Sequence, residues 1–424
     1  MAPRRLLFVS YYFPPDPAIG GARWEAMAEW LRRMGHEVTV LSSNTYGTPP
    51  TEEDPDTHRS GDLIASGVLR RLLRRPPLLR SATPSLALQK PPPWPFTDVL
   101  VPDVFLLTWL PGALRAARRL LRERPIDCVV TTGPPHSAHL LALLLGAGRP
   151  AWIADFRDGW RYESLHPAWP TSAQNRLDAS LERRVATSAE AVIGVTRPIA
   201  EDFRARLGIE AAHIPNGWDP GWEERIAAAQ PPELEPGTVN VVHTGTFATA
   251  WRDPAPLFAA LTRMADEHPE QARRLRLVLA GNLDANLKDM IARSRGLARH
   301  VGRIPRADAL ALQRRGDALL LLTSASHASH ATGKLFEYLG AKRPIIALAR
   351  DNEASRIVEE TGTGVAVAPD DVEGIGRALL AVSDGSLAAA YAPHGLERYI
   401  YPGPAEAVAE LVERAITRRE RRSG

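Results

Sequence analysis

A chain of 424 residues has room for two or three domains. With 44% hydrophobic and 24% charged residues it is no disordered chain, collagen-like repeat or disulfide scaffold, and its one cysteine, Cys128, permits no intrachain disulfide. Fifty-two Lys and Arg against 49 Asp and Glu leave a net charge of +3, too little to argue for nucleic acid.

The basic N-terminus lacks the long apolar core and small-residue cleavage site of a signal peptide, and Leu6–Ser10 reads as a buried first strand. The loop Tyr11–Gly21 leads into a helix over Ala22–Met34, with Trp24, Met27, Ala28 and Leu31 at helical spacing. Val38–Leu41 is the next strand. Residues about 46–111 then break the rhythm with a proline- and arginine-rich insertion. Within it SGVLRRLLRRPPLLR mixes leucines with arginines. An amphipathic contact with an anionic membrane surface and a leucine-faced helix packed on the domain both fit. Strands at Cys128–Thr131, Trp152–Phe156 and Ala191–Val195 alternate with helices at Ser137–Leu145 and Ser180–Thr187.

Near residue 216 the composition turns to Pro, Gly and Glu, and residues 216–238 read as an interdomain hinge. A second series follows. Its strands are Val239–His243, Leu275–Ala280, Ala318–Leu322, Ile345–Leu348 and Gly364–Val367, alternating with helices, and a basic-ended helix spans Ala405–Arg422. Strands separated by helices predict an α/β protein of two Rossmann-like parallel-sheet domains, residues 1–215 and 239–395. Ligands of such sheets sit beyond the carboxyl ends of strands, so the expected site is a cleft between the domains. No apolar run reaches the ~18 residues of a spanning helix, so the expected location is cytoplasmic.

The strongest site signal is ATGKLFEYL, Ala331–Leu339, after an apolar strand. Thr332 can cap a helix and Gly333 permits close backbone approach. Lys334 stands in the first helical turn, where a cation opposes the dipole unless an anion is also bound there. Glu337 shares its face, one turn on, and suits the hydroxyl pair of a ribose; a solvated Lys–Glu pair is the plain alternative. Gly20 and Gly21, just before the first helix, allow backbone N–H groups to approach an anion, although the turn is not GxGxxG. After the first strand of the second domain come Gly245 and Thr246, with Arg252 nearby as a phosphate contact or a partner of Asp253. In the first domain TTGPPHSAH puts His136 and His139 at a helix start, and ADFRDGW puts Asp155, Arg157 and Asp158 at a strand end; packing histidines and a self-contained Arg–Asp network are the plain readings. No metal-ligand spacing, GxSxG elbow or P-loop is present.

Together YYFPPDPAIGGAR, TTGPPHS, DFRDGW, VIGVTRPIAEDF, IPNGWDP, VVHTGTF and GKLFEYLGAKRPIIAL resemble, in order and spacing, glycosyltransferase family 4 of the GT-B fold, in a bacterial branch with TxPPHS and DFRDxW. The likeness runs over nearly the whole chain. It implies that Gly20 and Gly21 line the diphosphate and acceptor side of the cleft. Lys334 with the Gly333 and Leu335 backbone would hold the donor pyrophosphate, Arg252 would add a second cation, and Glu337 would bind the ribose. Residues 396–424 would pack back toward the N-terminal domain. The sequence departs from the family pattern where Thr246 replaces an arginine, Ser329 an acid and Arg157 lies near the usual histidine.

The resemblance implies retaining, metal-independent transfer of a sugar from a nucleotide diphosphate sugar to an acceptor hydroxyl, in cell-surface polysaccharide or glycolipid assembly. No cofactor beyond the donor is expected, and His136, Asp155, Arg157 and Asp158 would position the acceptor, lipid-linked or soluble. The other readings are a soluble-aglycone transferase, a GT-B epimerase and a non-catalytic nucleotide-sugar-binding subunit.

Overall fold

The computed structural model describes residues 2–14, 19–44, 55–63, 99–164, 168–247, 253–283, 285–323 and 327–423. The chain divides into two compact units, one of residues 1–215 with 402–424 and the other of residues 216–401.

The first unit is built on β1 (Arg5–Ser10), β2 (Glu37–Ser43), β3 (Thr57–Ser60), β4 (Cys128–Gly133), β5 (Ala151–Phe156), β6 (Ala191–Gly194) and β7 (Ala211–His213). They form one parallel sheet in the order β3-β2-β1-β4-β5-β6-β7. Runs such as CVVTTG are buried at every residue, as strands covered on both faces must be. The first helices are α1 (Ile19–Arg33), α2 (Leu110–Glu123), α3 (Ser137–Leu145), α4 (Ser172–Ser188) and α5 (Arg197–Leu207). Thr171 caps α4 by accepting a hydrogen bond from the Gln174 N–H, satisfying one of the free donors of the first turn. One core gathers Trp109, Trp152, Phe156, Trp160 and Phe203.

The second unit carries β8 (Val239–Thr244), β9 (Leu275–Ala280), β10 (Ala298–His300), β11 (Ala318–Leu322), β12 (Ile345–Leu348) and β13 (Gly364–Val367), parallel in the order β10-β9-β8-β11-β12-β13. Side chains of successive strand residues point to opposite faces, and here they supply two cores. Leu277, Leu279, Leu320 and Leu322 enter one, with α6 (Ala255–Glu267) against it. Val278, Ala280, Leu319 and Leu321 enter the other, beneath α7 (Arg306–Arg315), α8 (Gly333–Ala341) and α9 (Glu353–Glu360). Each fully buried leucine contributes about 1.5–3 kcal/mol by leaving water.

The structure differs from the sequence reading in several places. Residues 216–238 group with the second unit: Trp218 donates its N–H to the Tyr399 carbonyl at 2.8 Å and accepts from the Tyr401 N–H at 2.9 Å. Its indole lies so close to Gly340 that a Cβ there would come within 2.4 Å, and Ile226 packs with Leu310 and Ala311. The expected insertion over 46–111 yields β3 at one sheet edge and the first residues of α2. Its leucine–arginine run, 66–80, lies outside the described residues. The helix α10 (Gly403–Ser423) belongs to the first unit, where Arg4 donates to Glu413 in a 2.6 Å ion pair.

Candidate functional site

Beyond the carboxyl end of β8 stands Gly245, with φ of +103°. Its N–H donates to the Ala280 carbonyl at 2.6 Å. Gly281, at the end of β9, has φ of +138°, and a Cβ on it would lie 2.1 Å from the Gly245 carbonyl oxygen. Both positions therefore require glycine, for backbone conformation and for closeness of approach.

After β11 the chain enters α8 with Thr332 extended at its N-cap, making no side-chain cap hydrogen bond, and no acid in the first turn. Lys334, in that turn, folds over Gly245: a Cβ there would meet its Cε at 2.4 Å and its Nζ at 3.0 Å. An ammonium group thus sits among strand ends and the positive end of a helix, an arrangement that attracts an anion. Leu335 is fully buried, so only its backbone can serve a ligand.

Glu337 follows one turn along. Its Oε1 accepts from the Arg306 guanidinium at 3.2 Å and its Oε2 from the Gln313 amide at 3.3 Å. Gln313 also donates to Thr244 Oγ1 at 2.8 Å, tying the carboxylate to the end of β8. Arg306 lies over the Trp222 ring, 4.5 Å from its centroid. Tyr338 donates to the Leu320 carbonyl at 3.3 Å, and burial pushes its phenol up, so it stays neutral. Gly245, Lys334 and Glu337 are therefore brought together, with Thr246 half-buried beside them. Arg252 lies outside the described residues. Gly281, Arg306 and Gln313 escaped the sequence reading. Only Gly281 carried a signal, as a glycine immediately after a strand.

In the first unit Gly20 and Gly21 are already inside the first turn of α1 rather than in a turn before it. A Cβ on Gly21 would touch the Phe13 backbone at 3.3 Å, so that position serves close packing of the preceding loop. Beyond β4, the Gly133–Pro134 and Pro134–Pro135 peptides are cis. His136 then stacks flat on Trp160, with ring centroids 4.6 Å apart and planes 6° apart. His139 is fully buried and shares a 2.8 Å hydrogen bond between its Nδ1 and Thr131 Oγ1; burial holds it well below the usual histidine range. The N-terminus of α3 is already supplied with a carboxylate, because Asp103 accepts from the Ser137 N–H at 3.0 Å.

The charged strand end divides its roles. Asp155, expected to face the acceptor, is fully buried and accepts from Thr132 Oγ1 at 2.7 Å, Trp24 Nε1 at 2.8 Å and Arg23 Nη2 at 3.2 Å. It is an internal anchor, because three donors occupy a carboxylate that solvent does not reach. Arg157 turns back on the cis turn, donating from its backbone N–H and its Nε to the Gly133 carbonyl and from its guanidinium to that of Pro134. Burial lowers the Arg157 pKa and raises that of Asp158, its neighbour.

Residues 20–217 match the family described as a glycosyl transferase 4-like domain. Over 404 residues the chain is 26% identical to a glycogen synthase of Mycobacterium tuberculosis, covering 91% of this chain and 87% of that one. In structure it is similar to a glycosyltransferase from Rickettsia africae, with a TM-score of 0.59 at 12% identity, covering 98% of this chain and 99% of the other. It is also similar to Anabaena HepE in complex with UDP and glucose, with a TM-score of 0.53 at 14% identity, covering 97% and 99%.

Proposed function

Since this chain is a glycosyltransferase of the GT-B, family-4 type, we propose that it moves a sugar from a nucleotide diphosphate sugar to an acceptor hydroxyl, with retention of configuration and without a metal ion. The acceptor belongs to cell-surface polysaccharide or glycolipid assembly. The observation that carries this reading is the Lys334 ammonium laid over Gly245 at an acid-free helix start, with Glu337 one turn on. Lys334 and the α8 N–H groups hold the diphosphate, with Arg252 the candidate second cation, and Glu337 accepts from the ribose hydroxyls. As the bond from sugar C1 to phosphate oxygen breaks, charge gathers on the leaving diphosphate, and fixed positive groups stabilise that change more than the ground state. The acceptor oxygen bonds to C1 on the face being vacated, and its proton passes to the leaving phosphate oxygen. Fixed cations do here what a divalent ion does elsewhere. His136, Arg157 and Asp158 shape the acceptor side, Arg157 by fixing the turn that presents His136.

Melting curves with UDP, ADP, GDP and TDP test the site. A matching diphosphate at about 100 times its Kd raises stability by roughly 2.7 kcal/mol. Lys334→Ala and Glu337→Gln should each shrink that shift, and Lys334→Ala should lower kcat/KM by about 10²–10³. Turnover in EDTA and an unchanged anomeric configuration in the product are the further expected results. Undiminished nucleotide shifts in both variants would remove the basis of the assignment.

Among the described residues no helix is long and apolar enough to cross a membrane. A lipid-linked acceptor therefore calls for a peripheral encounter at the inner membrane face, which vesicle co-sedimentation with anionic and neutral lipids measures.

A further inference from the structure

At the amino ends of β8, β11 and β12, across the second sheet from Gly245 and Lys334, lies a cavity of about 480 Å³. Its polar lining includes three cations, Arg274, Lys342 and Arg343, two carboxylates, Asp317 and Asp384, and the half-buried Tyr391. The backbone holds the carboxylates in place. Asp317 Oδ2 accepts from the Asn240 N–H at 2.7 Å, and Asp384 Oδ1 from the Ser386 N–H at 2.9 Å. Among the described residues none of the three cations forms an ion pair: Glu223, whose charge Lys342 feels, is taken by Arg314, and Arg343 donates its Nε to the Arg314 carbonyl at 2.9 Å. Lys342 ends α8 with φ of +57°, in the left-handed region that glycine or asparagine usually fills at a helix C-cap. The helix dipole favours a cation at that end, and this one lines the cavity.

Cations without ion-pair partners beside backbone-held carboxylates make a mixed site. A bare inorganic anion would be repelled by the acids, and a neutral sugar would leave the cations unused. A sugar phosphate answers both, because its phosphate oxygens accept from guanidinium and ammonium groups while its hydroxyls donate to carboxylates. Burial raises the Tyr391 pKa, so its phenol stays a neutral donor. Val382 and Leu387, both buried, add an apolar floor for the C–H face of a ring. The volume lies in the range of small-molecule sites. We propose that this cavity binds a phosphorylated monosaccharide, as a ligand site separate from the donor site of the same unit. It stands apart from the transferase reading above, since it uses none of the residues that carry that reading.

The test is isothermal titration calorimetry on the full chain with glucose 1-phosphate, glucose 6-phosphate and mannose 6-phosphate up to about 10 mM, and with glucose and inorganic phosphate as the two part-ligands. At least one sugar phosphate should bind, about tenfold or more tightly than either part alone. Glycine suits the left-handed C-cap, so Lys342→Gly should keep or raise the melting temperature while it weakens binding about tenfold. Arg274→Ala, at an exposed position, should weaken binding by a similar factor, and Lys342→Arg should retain most of it. Lys334→Ala should leave sugar-phosphate binding unchanged. The proposal is overturned if no sugar phosphate binds, if inorganic phosphate binds as tightly, or if folded Lys342→Gly and Arg274→Ala bind as the parent does. It also falls if Lys334→Ala abolishes binding or a saturating nucleoside diphosphate displaces the ligand, since either result returns the sugar phosphate to the donor site.

Discussion

Asp155 shows how a charged residue at a strand end can belong to the interior. Its carboxylate neutralises Arg23, whose guanidinium also donates to the Ile214 and Pro215 carbonyls at 2.8 and 2.5 Å. Removing one member of a buried pair leaves the other uncompensated. Asp155→Ala should therefore cost about 3–5 kcal/mol in urea unfolding, while a paired apolar replacement of Arg23 and Asp155 should recover much of that loss. His139 provides a pH test. Burial keeps it neutral in the folded state, so the unfolded chain takes up the proton first as pH falls through the ordinary histidine value of about 6.5. Its contribution is complete above that pH and is lost below it. His36 and His58, also lowered by burial, act in the same direction. The melting temperature should fall between pH 7 and pH 5, less steeply in His139→Gln.

At the level of elements, the proposed donor site is made where β8, β9 and α8 converge, and its fineness comes from two glycines. A methyl on Gly281 would overlap the Gly245 carbonyl, a backbone atom that cannot swing aside. A methyl on Gly245 would meet the flexible end of Lys334. Gly281→Ala should thus destabilise the second unit by more than 1 kcal/mol, with a lowered unfolding midpoint. Gly245→Ala, at φ of +103°, should likewise lower the unfolding midpoint through backbone strain and in addition weaken nucleotide affinity by displacing the ammonium, which calorimetric titration measures separately. Glu337 is braced in the same way by neighbours on another helix. Arg306 and Gln313 sit on α7, so nothing in the spacing around GKLFEYL announces them.

For the whole molecule, the second unit is one continuous stretch, whereas the first is completed by residues from the far end of the chain. Helix α10 buries Ala405, Val408, Ala409, Val412 and Ala415 and sends Arg418 and Arg422 to Glu190, which is already paired with Arg149 at 3.1 Å. A fragment of residues 216–401 should therefore fold and keep its nucleotide-induced melting shift. Residues 1–215 alone should aggregate or stay open, and adding 402–424 in trans should restore a cooperative transition.

By itself the sequence determined the alternation of apolar strands with helices, because burial on both faces of a parallel sheet demands continuous apolar runs and those are visible in one dimension. It likewise marked Lys334 and Glu337, since a cation in the first turn of a helix runs against the dipole and stands out locally. Tertiary structure alone decided that Asp155 is an anchor, that Arg157 grips a turn 24 residues before it in the chain, and that residues 216–238 fold onto the second unit. Those outcomes depend on which groups meet across the sheet and between helices. A linear pattern records what each residue is, but not which partners compete for its charge.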